Sequence, residues 1–147
     1  MRKKKIYVVG TEVSTSMSPT IFKYWFNKYN IDYAEYGYKE IKEENFDKEI
    51  KSILKEDGLI GLNITIPFKE KIIPYLTSTE STRYTGPQNK KVMLSYLEKD
   101  VGANQDHIKE LNKKIKLPTN CISIIGDEIT GKNTDCFGFE SACFTKI

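Results

Sequence analysis

Strand-like and helix-like patterns alternate along the first half of this chain, and no other feature narrows its fold as much. Residues 6–9, Ile-Tyr-Val-Val, form a short β-branched run after a basic lead and stop at Gly10, as a buried strand does. A hydroxyl-rich loop follows over residues 11–18. Ser18-Pro19 then opens a helix, with serine as the N-cap and proline at the tolerated first position. Ile21, Phe22, Trp25, Phe26 and Tyr29 share one stripe of that helix. Residues 33–38 have strand composition despite Gly37. Phe46, Ile50, Ile53 and Leu54 mark a second helix, stopped by Asp57-Gly58. Residues 59–66 read as the next strand, ended by Pro67, and residues 68–76 as a short helix. This order predicts an α/β domain with a largely parallel sheet and helices on its faces. Ligands of such domains bind in the loops beyond the carboxyl ends of the strands.

From residue 77 to 116 the pattern weakens and charge rises. Val92, Leu94, Tyr96 and Leu97, then Ile108, Leu111 and Ile115, suggest two helices around a Gly102-Ala103-Asn104 break. Residues 121–125 and 128–132 read as a β-hairpin. Its Gly126-Asp127 loop favours a II′ turn, because glycine comes first. Asn133-Thr134-Asp135 follows as a plain helix N-cap, and a final helical segment runs from Phe137.

Composition removes several classes of function. The chain has 147 residues, enough for one domain, with 39% hydrophobic and 29% charged residues, as in a globular protein. Its 23 basic and 20 acidic residues leave +3, and no basic stripe is interleaved with aromatics, which argues against nucleic-acid binding. No apolar run approaches the ~20 residues that span a bilayer. The basic lead at residues 2–5 meets a run that is too short for a signal peptide. Three cysteines without CxxC spacing and one histidine, His107, make no zinc site. Free thiols in a reducing cytoplasm are the expectation.

Four polar clusters could carry chemistry. Ser14 to Ser18 alternates hydroxyls between a strand end and a helix start, where they cap the helix or bind an anion. Asn63 and Thr65 alternate along a strand and so point to one side, with Lys69 just past the strand end. A lysine there holds a substrate anion, works as a general acid/base, or is an ordinary surface residue. Asn120 opens the hairpin, and Asp135 lies just past its end. Each cluster alone reads as turn or capping chemistry.

Their order along the chain resembles that of a known family. Ser16-Met17-Ser18-Pro19, Asn63-Ile64-Thr65-Ile66-Pro67-Phe68-Lys69, Asn120 and the run from Gly131 to Phe139 (Gly-Lys-Asn-Thr-Asp-Cys-Phe-Gly-Phe) follow the array SxSP, NxTxPxK, N, GxNTDxxGF. That array resembles the N-terminal substrate-binding domain of shikimate dehydrogenases, over roughly residues 5–80 and 118–143. The resemblance implies a three-layer α/β domain with a mostly parallel, mixed sheet. It implies an enzyme that reduces 3-dehydroshikimate to shikimate with NADPH, in aromatic amino-acid synthesis. By position, Ser16 and Ser18 would bind the substrate carboxylate, and Asn63, Thr65, Asn120 and Asp135 would read the ring hydroxyls. Lys69 would sit at the reacting oxygen, and Lys69 and Asp135 are the catalytic candidates. The division of acid/base work between those two stays open.

The chain departs from the family pattern in three respects. The C-terminal Rossmann domain that holds NADP has no counterpart here, since none of the nine glycines falls in GxGxxG spacing. No cofactor is therefore expected in this chain, which would bind shikimate or 3-dehydroshikimate without turning it over alone. Residues 1–147 form one substrate-binding domain with a helical insertion at about 85–116, and Asn120 is followed by Cys121 where the family has threonine. Thr15 replaces a histidine that often precedes SxSP. A degenerate, non-enzymatic ligand- or partner-binding module remains a second reading, and a quinate/shikimate dehydrogenase a third. An edge strand of such a domain offers a route to a homodimer.

Overall fold

The computed structural model describes residues 2–79 and 118–135. Among these residues six strands form one sheet: β1 (Lys4–Gly10), β2 (Ala34–Glu40), β3 (Leu59–Ile64), β4 (Ser78–Thr79), β5 (Cys121–Ile125) and β6 (Glu128–Lys132). Among the described residues two α-helices accompany them, α1 (Ser18–Lys28) and α2 (Phe46–Ile53). The sheet order is β2-β1-β3-β5-β6-β4. β1 lies between β2 and β3 and is parallel to both, β5 is antiparallel to β3 and to β6, and β4 is parallel to β6. The mixed α/β architecture expected from the sequence is therefore the one observed.

Strand alternation sorts the residues onto two faces. Registers pair Val9 with Ile64, Tyr7 with Leu62, and Leu62 with Ile122, so these side chains share a face. Phe46, Ile50 and Ile53 of α2 pack there with Phe68 and Ile72, and this cluster is the core. On the other face, Tyr36 pairs with Ile6, and Asn63 pairs with both Val8 and Cys121. The Phe22 ring of α1 stacks on Tyr36 at 4.1 Å with 9° between planes, which makes α1 the third layer.

The helix stripe behaves differently from a core-facing one. No residue of α1 is fully buried, and Ile21, Trp25 and Tyr29 are exposed. Ser18 is not the N-cap either. Met17 holds that place without a side-chain cap, and the Ser16 hydroxyl accepts the Ser18 N–H at 3.2 Å. The helix ends at Lys28, and Asn30 turns the chain with φ 54°, a conformation asparagine tolerates.

The short helix expected over residues 68–76 is replaced by turns and one 3-10 turn at Ile73–Tyr75. The Lys69 carbonyl, which a helix would use for the Ile73 N–H, instead accepts the Thr119 N–H at 2.8 Å. Ile73 donates to Glu70 at 3.2 Å, and Pro74 has no N–H to continue the ladder. β3 also stops two residues earlier than expected, before a cis Ile66–Pro67 bond. The hairpin agrees with its sequence: Ile125 pairs with Glu128, and Gly126 alone of the two loop residues has positive φ, 59°, as a II′ turn requires. The expected insertion at 85–116, its two helices and His107, the helix from Phe137, and Cys136 and Cys143 lie outside the described residues.

Candidate functional site

The parallel strands β1, β3 and β6 end on one side of the sheet, where antiparallel β5 begins. Backbone bonds tie these ends together. Thr65 N donates to Val9 O (3.0 Å), Ile64 N to Asn120 O (2.8 Å) and Asn120 N to Lys132 O (3.1 Å). Gly10 permits the closure, since a Cβ there would lie 2.4 Å from Thr65 Cγ2 and 2.7 Å from Val13 Cγ1.

Lys69, Asn120 and Asp135 converge at these ends. Phe68 is fully buried and stacked on Phe46 at 4.4 Å, which anchors the residue next to Lys69. The Lys69 ammonium meets Asp135 Oδ2 at 2.7 Å. Asn120 Nδ2 donates to Asp135 Oδ1 at 2.7 Å and to Thr134 Oγ1 at 2.9 Å, while its Oδ1 accepts the Thr134 N–H at 2.8 Å. Asn133 makes two bonds of its own beside this group. Its Oδ1 accepts the Asp135 N–H at 3.0 Å and its Nδ2 donates to Pro118 O at 2.6 Å. Both oxygens of Asp135 are thus held, yet its side chain stays half exposed and that of Lys69 a quarter exposed. The ammonium retains donors for a ligand oxygen, and the carboxylate retains lone pairs for a hydroxyl hydrogen.

The serine loop lies at the same end of the sheet. Val13 and Ser14 donate their N–H groups to Glu40 Oε2, at 3.1 and 3.0 Å. These amide bonds, that from Ser14 first, hold the Glu40 carboxyl below the usual carboxylate range. Ser16 and Ser18 are joined by the bond at the start of α1. Asn63 is held by a residue that sequence reasoning missed, Tyr36, whose hydroxyl donates to Asn63 Oδ1 at 2.8 Å. Burial pushes the Tyr36 phenol up to about 12, against the opposing influence of Ser18. The period-two alternation of residues 34–40 was the signal that could have found it. Cys121 sits opposite Asn63, and burial pushes its thiol up. Thr65 is held through its backbone, with its methyl against Gly10.

Direct bonds therefore unite Lys69, Asn120 and Asp135, and Ser16 with Ser18. Asn63 and Thr65 lie on the strand end between the two groups. A cavity of about 530 Å³ opens elsewhere, between α1 and β2, lined by Lys23, Phe26, Ile31 and Glu35 among others. It shares only Tyr36 with the polar residues above, so the chemistry stands at the strand ends. Among the described residues no His, Cys, Asp and Glu cluster could hold a metal, and no helix is long and apolar enough to cross a membrane.

Comparison with known proteins identifies the family. The family model "Shikimate dehydrogenase substrate binding domain" matches residues 8–90, more than half of the chain. A shikimate dehydrogenase (NADP(+)) of Staphylococcus epidermidis is 36% identical over 117 residues, covering 76% of this chain and 40% of that protein. The crystal structure of shikimate dehydrogenase 1 from Peptoclostridium difficile superposes with a TM-score of 0.63 at 27% identity, covering 94% of this chain and 39% of that one. A 5-ketofructose reductase of Gluconobacter sp. reaches 0.67 at 17% identity, a likeness of fold alone. The chain spans less than half the length of each of these relatives. It belongs to the family of shikimate dehydrogenase substrate-binding domains.

Proposed function

We propose that residues 1–147 are the substrate-binding part of an oxidoreductase that interconverts 3-dehydroshikimate and shikimate, with the segment at about 85–116 an insertion in that domain. The convergence of Lys69, Asn120 and Asp135 at the strand ends carries the reading. Ser16 and Ser18 bind the substrate carboxylate at the start of α1, where the helix dipole favours negative charge. Asn63, Thr65, Asn120 and Asp135 read the ring hydroxyls. A polyhydroxylated ligand needs such a set, because each group left unpaired in a closed site costs ~1–3 kcal/mol.

When the ketone carbon is reduced, its oxygen becomes an alkoxide and takes a proton. Lys69 presents that proton and stabilises the charge, and Asp135 keeps the ammonium aimed and accepts a hydroxyl hydrogen. A reduced nicotinamide supplies the hydride in such a reaction. The nine glycines include no GxGxxG turn, so this chain offers no cradle of that kind for the cofactor's phosphates. By itself the chain binds substrate without turning it over. The reading carries with it a cytoplasmic setting, and a homodimer through the outer strand of the sheet, which a sedimentation measurement tests.

An NMR titration of the 147-residue protein with shikimate, with quinate as control, tests the substrate. Saturable shifts at Ser16, Ser18, Asn63, Thr65, Lys69 and Asp135, lost in Lys69→Ala, are expected. A preference for quinate would favour a quinate-using enzyme. A folded sample without shifts at several millimolar would favour the non-enzymatic module.

A further inference from the structure

Tyr36 lies on the α1 face of the sheet, two strands from Asn63 and 27 positions before it. Its ring is stacked flat against Phe22, which fixes the direction in which its Cζ–O bond points. That direction ends on the Asn63 side-chain amide, 2.8 Å from Oδ1. A side-chain amide has two faces of opposite character, an acceptor oxygen and a donor nitrogen, and its function depends on which faces the ligand. A phenol proton committed to Oδ1 turns Nδ2 and its two hydrogens to the other side. Among the described residues Nδ2 makes no hydrogen bond.

We propose that Tyr36 is a positioning residue: its hydroxyl fixes the Asn63 amide so that Asn63 offers hydrogens, and therefore reads an oxygen lone pair of the ligand rather than a hydroxyl hydrogen. The inference rests on the substrate-binding reading above and adds the polarity of one contact within it. A neutral phenol suits the role, because it keeps its proton across the working pH range. Tyr36 itself need not touch the ligand. Without its hydroxyl, as in Tyr36→Phe, the amide is free to turn over and present the wrong face half the time.

Two measurements on the 147-residue protein decide it. In the free, 13C-labelled chain, Tyr36→Phe should move the Asn63 Cγ resonance upfield, as a carbonyl does on losing a donor, with the backbone amide spectrum otherwise kept. In a titration with shikimate, Tyr36→Phe should weaken binding about twofold, because half of the chains then present the wrong face of the amide. The same change in an Asn63→Ala background should then cost nothing further, because Tyr36 acts through Asn63. An unmoved Cγ resonance overturns the proposal whether or not shikimate binds. Additive losses in the cycle also overturn it, since they would mean that Tyr36 works independently of Asn63. A moved resonance in a chain that binds no shikimate supports the positioning, and it is then the substrate reading that falls.

Discussion

The Lys69 ammonium lies 2.7 Å from Asp135 Oδ2, although 66 positions separate the two residues in the chain. The bond exists because the Lys69 carbonyl accepts the Thr119 N–H and Asn120 then bonds Asp135. The pair is thus held from the backbone upward.

That exposure separates stability from binding. Lys69 and Asp135 are a quarter and half exposed, and ion pairs in that setting contribute ~0–1 kcal/mol. Lys69→Ala should therefore leave the urea midpoint nearly unchanged while weakening shikimate binding by roughly tenfold or more, the scale of a charge-assisted contact. A variant that unfolds more easily but binds equally well would contradict the assignment.

Phe68 behaves in the opposite way. It is fully buried and stacked on Phe46, so Phe68→Ala should cost about 3–5 kcal/mol. Domains have only ~5–15 kcal/mol in total, so this variant should be close to unfolding at room temperature. Urea unfolding followed by tryptophan fluorescence measures it.

Gly10 tests the closeness of the strand ends. A methyl group there would lie 2.4 Å from Thr65 Cγ2 and 2.7 Å from Val13 Cγ1. Gly10→Ala should destabilise by ~1–3 kcal/mol through overpacking. Its amide shifts should be concentrated at residues 11–18 and at Thr65, where the methyl pushes.

Glu40 makes the serine loop sensitive to acid. Amide donors from Ser14 and Val13 depress its folded-state pKa, so the unfolded chain takes up the proton first. The stabilisation is complete above about pH 4.3, the ordinary glutamate value, and is lost as pH falls through the lower folded one. The Ser14 amide resonance should titrate there, and Glu40→Gln should abolish that titration. An amide that is unaffected as the pH falls from 5 to 2 would contradict it.

What could be read from the chain alone was what short-range physics governs. The β-branched run at residues 6–9, the apolar spacing at Phe46, Ile50 and Ile53, and the Gly126-Asp127 turn each depend on neighbours a few residues away. All three stand in the structure as their patterns predicted. The resemblance of four polar clusters to a family also marked Lys69, Asn120 and Asp135 as belonging together, without indicating how they meet.

Tertiary structure decided the rest, because those outcomes turn on which partner wins a contested backbone or side-chain group. Residues 68–76 lost their helix when the Lys69 carbonyl bonded Thr119 instead of Ile73. The α1 stripe, apolar enough for a core, lies largely exposed over β2. Tyr36 reached Asn63 only because β1 set the register between their strands. Local pattern determines which segments can be strands or helices, since those choices are settled within a few residues. The site is a property of distant segments brought to one sheet end, and hydrogen bonds between them exist only once the sheet has formed.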